Sequence, residues 1–263
     1  MRTEHRPGRE VDSPYRRRRE NLVSYGILDW DSEFFGMVVA SITAPALTEH
    51  ELEEVLSELK ILGADLVYWP SPRRLPAALL EQFRGILADV KITFAMDLGT
   101  LGSQDSASLE DLESLAGTPS NEALEDLAIQ SGEYSRFALD PRIPRERFEA
   151  LYRLWIRRSL SKEIADEVLG IRVGADVVGL TTLGNRTGRG DIGLLAVHKD
   201  HRGRHYGEKL VLAAQRWFAA HGFDVAQVVT QSVNIPACRL YEKCGYTAEK
   251  SEFFYHFWPR SDG

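Results

Sequence analysis

The stretch from Asp191 to Gly207, DIGLLAVHKDHRGRHYG, gathers residue types suited to binding a pyrophosphate. Arg202 and Arg204 carry full positive charge, and Gly203 and Gly207 punctuate a loop from which a helix starts. Unpaired backbone N–H groups at a helix N-terminus favour an anion, and the helix dipole adds roughly half a positive charge. Two familiar phosphate loops do not fit. A nucleoside-triphosphate loop needs G-x-x-x-x-G-K-[ST]. A dinucleotide fingerprint needs G-x-G-x-x-G and an acidic residue about 20 positions on, where this loop offers only Gly203 and Gly207. An ordinary strand-to-helix turn remains the alternative at this point. A second chemical stretch, VVTQSVNIPACRLYEKCGY, runs from Val228 to Tyr246 and carries Asn234 and Tyr241. A tyrosine there is either a proton donor or a core aromatic.

The elements that must position these groups follow from periodicity. Ile192 to Val197 is a short apolar run, a buried strand, followed by a polar turn at His198 to Asp200. Beyond the basic loop, Leu210, Val211, Ala214, Trp217 and Phe218 recur at helical spacing up to the stop at His221-Gly222. Val228 to Thr230 is a β-branched strand, and Pro236 suits the first turn of a helix. Ala237, Leu240 and Tyr241 share one face of that helix, which Cys244-Gly245-Tyr246 ends.

Both stretches resemble the GNAT acyl-CoA N-acyltransferases. Arg202 and Gly207 match the ends of the family's R-x-x-G-x-G/A loop, and His205 stands where that loop has its first glycine. Histidine resists backbone conformations that glycine permits, so close approach of the loop to phosphate is the point at issue. Asn234, Ala237, Leu240, Tyr241, Gly245 and Tyr246 match the family's N-x-x-A-x-x-L-Y-x-x-x-G-F/Y segment. The resemblance implies acetyl-CoA as co-substrate and no metal. Its pyrophosphate falls to Arg202, Gly203, Arg204, His205, Tyr206 and Gly207, and its pantetheine arm to the backbone of Leu195, Ala196 and Val197 and to Asn234. Tyr241 is implied to stand over the thioester sulfur and to protonate the departing thiolate as general acid.

The rest of the chain sets bounds. At 263 residues it suits two modest domains, and its net charge of −7 disfavours nucleic acid as a partner. Residues 1–20 form a basic tail that reads as disordered. No apolar run is long enough for a membrane span, and Cys238 and Cys244 read as packing residues in a reducing cytoplasm. Residues 21–99 give a βαβαβ order with an aromatic turn, Trp30 to Gly36, and an amphipathic helix, Glu49 to Leu62. Gly99 to Ser108 is Gly/Ser-rich, a linker placed at 100–110. Residues 111–263 give the order β–α–α–β–β–β–α–β–α–β. The expected class is α/β (α+β): a GNAT fold with a mixed, mostly antiparallel sheet, plus a small N-terminal α/β domain.

The W-x-x-x-F-F-G turn, Ser135-Arg136-Phe137, DIGLLA and TQSVN are also similar to the dTDP-fucosamine acetyltransferases. That similarity implies a small-molecule amine as acceptor, the amino group of a nucleotide-linked amino-dideoxy sugar, and a share for the N-terminal domain in its site. Asp89 is the first candidate for the base that takes the amine proton, with Asp191 and a water chain as rivals. Arg136 has the chemistry to meet a diphosphate bidentately. Two other readings stay open, a protein N-acetyltransferase and a non-catalytic acyl-CoA sensor. The assembly is equally open, a homodimer included.

Overall fold

A computed structural model describes residues 25–101 and 112–260, so the basic tail and most of the expected linker lie outside the described residues. The chain divides into two compact units, Met1–Ile86 with Tyr255–Gly263, and Leu87–Phe254.

The first unit runs β1 (Tyr25–Ile27), α1 (Asp29–Phe35), β2 (Val39–Ile42), α2 (Glu49–Ile61), β3 (Leu66–Ser71) and α3 (Ala77–Gln82). β2 pairs antiparallel with β1 and parallel with β3. The amphipathic helix read from the sequence is α2. Thr48 opens it with a capping box to Glu51, and Leu52, Val55, Leu56 and Leu59 turn inward. The aromatic turn is instead a helix, α1. The Ser32 hydroxyl donates to Leu28 O at 2.7 Å and accepts from Val39 N–H at 2.9 Å, and Gly36 closes the helix at φ 69°. Trp30 and Phe34, one turn apart, stack at 5.3 Å, and Phe35 enters the core.

The chain end completes this unit. Leu75 N–H donates to the Tyr255 hydroxyl at 2.9 Å, Trp258 N–H to Phe83 O at 3.3 Å, and Phe257 is fully buried.

The second unit begins within β4 (Ile86–Asp97) and continues through β5 (Leu112–Ser114), α4 (Glu122–Ser131), α5 (Arg136–Leu139) and α6 (Arg145–Leu160). Then come β6 (Glu167–Val173), β7 (Asp176–Arg186), β8 (Arg189–Val197), α7 (Tyr206–Ala220), β9 (Val225–Gln231), α8 (Ile235–Lys243) and β10 (Thr247–Phe257). The sheet order is β10-β4-β9-β8-β7-β6-β5, and β10 ends in the first unit. Only β8 and β9 pair parallel among the registered pairs here.

The unit boundary differs from the domain limits expected near residue 100. β4 pairs antiparallel with β9 from Lys91↔Gln231 to Asp97↔Val225, and that ladder draws it into the second unit. Strand alternation sorts the two sheet faces. Phe94, Ile192 and Val228 point into a core with Val211, Phe218 and Tyr241, so α7 and α8 cover that face. By the same alternation Asp89, Lys91, Gln231, Gln227 and Asp191 share the opposite face.

Candidate active site

A cleft of about 410 Å³ opens in the second unit, where β8 and β9 part. They pair only at Gly190↔Ala226, Asp191↔Gln227 and Ile192↔Val228, although β8 runs on to Val197 and β9 to Gln231. Leu195, Ala196 and Val197 therefore line the cleft with a strand edge turned away from β9. A bulge sets the divergence: Leu183 faces Ile192, yet Thr181 faces Leu195. The Thr182 hydroxyl steadies it by accepting from Leu194 N–H at 2.8 Å.

The far wall is the start of α7. Lys209 N–H bonds back to His205 O at 3.0 Å, so the N–H groups of Tyr206, Gly207 and Glu208 precede the first intrahelical bond. Gly203 takes φ 76°, as a glycine can, and His205 takes φ 61°, in the left-handed region. The histidine thus adopts a left-handed conformation that glycine takes more readily. Its Nδ1 lies 2.9 Å from Glu208 Oε2, which also accepts from Lys243 Nζ at 2.5 Å. That carboxylate ties the start of α7 to the end of α8. Arg202 Nε donates to Val197 O at 3.1 Å, bending the guanidinium over the strand edge.

α8 forms the third wall. Asn234 caps it by accepting from Ala237 N–H at 3.3 Å, and Asn234, Pro236, Ala237, Leu240 and Lys243 line the cleft. Tyr241 belongs to the core behind: its ring lies 5.9 Å from Phe94 and 6.1 Å from Tyr246. Burial lifts its hydroxyl well above the ordinary phenol range.

On the opposite face of the sheet, Asp89 lies within β4 and is 7% exposed. Burial pushes its carboxyl up to about 6, against the pull of Lys91 and Arg136. Its Oδ1 has no hydrogen-bond partner among the described residues. Asp191 is raised too, by burial, and its Oδ1 accepts from Gln227 Nε2 at 2.8 Å. The Arg136 guanidinium lies 4.3 Å from the Phe137 ring centroid and 4.2 Å from that of Phe254.

Set against known families, residues 124–246 match the Acetyltransferase (GNAT) family. These residues are a GNAT acetyltransferase domain. The spore coat polysaccharide biosynthesis protein SpsD of Bacillus subtilis is 29% identical over 138 residues, 52% of this chain and 47% of SpsD. The chain thus spans about half the length of that relative. A conserved protein of unknown function from Staphylococcus epidermidis shares the fold at TM-score 0.62 and 12% identity, over 95% of this chain and 96% of that one. A GCN5-related N-acetyltransferase from Sphaerobacter thermophilus does so at 0.54 and 14%, over 92% and 78%.

Within the acetyltransferase domain the cleft gathers nearly all the acyl-CoA residues expected from sequence: Leu195, Ala196, Val197, Arg202, Gly203, His205, Tyr206, Gly207 and Asn234. Arg204 is exposed and does not line it. Sequence reasoning missed the contribution of α4 and the turn after it, where Gln130 and Tyr134 close one side. Gln130 Oε1 accepts from Lys199 N–H at 3.2 Å, a loop contact that no motif spacing announces. It also missed Lys243, which the motif stretch contained. Among the described residues, no helix is long and apolar enough to cross a membrane.

Proposed function

We propose that the protein transfers the acetyl group of acetyl-CoA to the primary amine of a small acceptor, the amino group of a nucleotide-linked amino-dideoxy sugar. The observation that carries the reading is the β8–β9 divergence opening onto the α7 N-terminus. It offers a strand edge for amides and a helix end for phosphates in one cleft. The polar strand edge and the helix end fit a pantetheine arm and a pyrophosphate. Acetyl-CoA supplies an acyl group already activated as a thioester. Arg202 and the N–H groups of Tyr206 and Gly207 hold the phosphates, and backbone groups of Leu195 and Val197 align the arm.

Asp89 takes the proton from the acceptor amine. A buried carboxylate with an unpartnered oxygen and a value near 6 is suited to a base working near neutral pH. Tyr241, in the core behind the cleft and not on its lining, is assigned the proton for the departing sulfur by the family resemblance. Support for a sugar acceptor comes from the polysaccharide role in SpsD's name.

Thiol release from acetyl-CoA, followed over amino-sugar nucleotides, free amines and an amino-terminal peptide, tests the reading. Turnover is expected with the amino-sugar nucleotides; no thiol release with any amine would overturn it. Tyr241→Phe should keep acetyl-CoA affinity and lower turnover on the order of 10²–10⁴-fold. Unchanged turnover under rate-limiting chemistry would leave Tyr241 with packing alone.

A further inference from the structure

Lys91 does not line the cleft, although its strand pairs with β9 at Lys91↔Gln231. It follows Asp89 by two positions on β4, so both side chains leave the same face of the sheet. Its Nζ lies 5.4 Å from the Phe254 ring centroid, the same ring that receives the Arg136 guanidinium at 4.2 Å. Two cations therefore share one aromatic ring. Burial pushes the Lys91 ammonium below its ordinary value, and the charges of Arg136 and Arg186 push it the same way.

Carboxylates stand near Lys91 as well. Glu252 is already paired with Lys250 at 2.8 Å. Burial raises both Asp89, to about 6, and Asp191, whose Oδ1 accepts from Gln227 Nε2, so each carboxylate carries its charge at a desolvation cost. The residues of the cluster, on β4, α5 and β10, all lie within the second unit. A ring against each of two cations costs little water and fixes where they stand, since an ion over a ring face is held by its quadrupole. An arginine set against two rings directs its N–H groups in the guanidinium plane, the geometry that meets phosphate oxygens side by side.

We propose that Lys91 and Arg136, set on the Phe254 ring, form the seat for a phosphate carried by the acceptor. The proposal rests on the acetyltransferase reading above and specifies its substrate class: an amine whose molecule also bears a phosphate. Arg136 engages two oxygens of that phosphate and Lys91 a third, as a point charge. The seat shares its sheet face with Asp89, so an acceptor anchored by its phosphate presents its amine to the same side as the base. A nucleoside diphosphate and a simple sugar phosphate share this chemistry.

The test uses the full chain and acetyl-CoA with an amino sugar, its 1-phosphate and its nucleoside diphosphate form. Thiol release gives kcat/KM for each. Wild type should favour both phosphorylated acceptors over the free sugar, and Lys91→Gln should shrink that preference about 10- to 100-fold, the scale of a lost charge-assisted hydrogen bond. Arg136→Lys, which keeps the charge but not the fork, should shrink it less than Arg136→Gln. Preference for the diphosphate alone over the 1-phosphate assigns the seat to a nucleotide; equal preference assigns it to the sugar phosphate. Thermal stabilisation by acetyl-CoA, retained in each variant, shows that the fold persists.

A purely packing role for Lys91 would lower kcat/KM for all three acceptors alike and leave the preference intact, and that result overturns the proposal. Wild type turning over the free sugar as well as its phosphates overturns it too. Absence of thiol release with every amine would instead remove the acetyltransferase reading beneath it.

Discussion

Asp89 couples acid–base chemistry to stability. Its value in the folded protein, about 6, lies above the ordinary 3.8, so the folded state holds this proton more tightly than the unfolded chain. Stability contributed by the protonated form is therefore present below about pH 4 and lost as pH rises to about 6, a cost near 3 kcal/mol above that. Asp89→Asn should accordingly raise the melting temperature at pH 7 and change it little at pH 4, while abolishing the lower inflection of kcat/KM near pH 6. Equal melting shifts at both pH values would place the raised carboxyl in doubt. His205 offers a second trade. A non-glycine residue at φ 61° is strained, and His205→Gly should raise stability by about 0.5–1 kcal/mol in urea unfolding. Acetyl-CoA affinity should hardly move, because His205 already takes a backbone conformation open to glycine. Motif spacing made the cleft residues legible. The state of Asp89 was not, because a titration shift depends on Lys91, Arg136 and burial that only the folded sheet brings together.

The β8 bulge is the element on which the cleft depends. A Cβ at Gly193 would come within 2.7 Å of Thr182 Oγ1, the atom that holds Leu194 N–H. Gly193→Ala should cost about 1–3 kcal/mol and weaken acetyl-CoA binding, because displacing Thr182 lets the bulge relax. Calorimetric titration with acetyl-CoA measures the second effect; undiminished affinity would show that the divergence does not need the bulge. The long helix α6, Arg145–Leu160, carries local signals, since Pro144 opens it and five apolar residues hold a helical period. α1 and α5 were harder. Each is one or two turns long, too short for periodicity to show, and α5 is followed closely by Pro141 and Pro144. β4 starts at Ile86, and both its sheet neighbours, β9 and β10, are distant in sequence.

At the scale of the molecule, the first unit is discontinuous in sequence, a feature no local pattern announces. Tyr255, Phe257 and Trp258 are buried, and Arg260 Nη1 donates to Gly63 O at 2.8 Å. A fragment ending at residue 99 lacks that chain end and carries Leu87–Asp97 without Val225–Gln231. Such a fragment should show no cooperative thermal transition by circular dichroism, and a sharp one would mean that residues 255–260 are dispensable. Binding acts on the intact chain. At about 100-fold excess over its dissociation constant, acetyl-CoA should stabilise the protein by about 2.7 kcal/mol. A flat thermal-shift titration to millimolar acetyl-CoA would contradict the assigned cleft.

The parting of β8 from β9 has a cost in solubility. Beyond Ile192↔Val228 the chain presents a strand edge in the middle of a sheet, where most proteins leave edges only at the margins. Without a guest, Leu195–Val197 is a template on which another copy's extended segment can add. Empty protein warmed below its transition should therefore scatter more light with time than the same protein saturated with acetyl-CoA. A guest that fills the edge should then act as a chaperone for its own host, and the working lifetime of the protein should follow the local supply of acetyl-CoA.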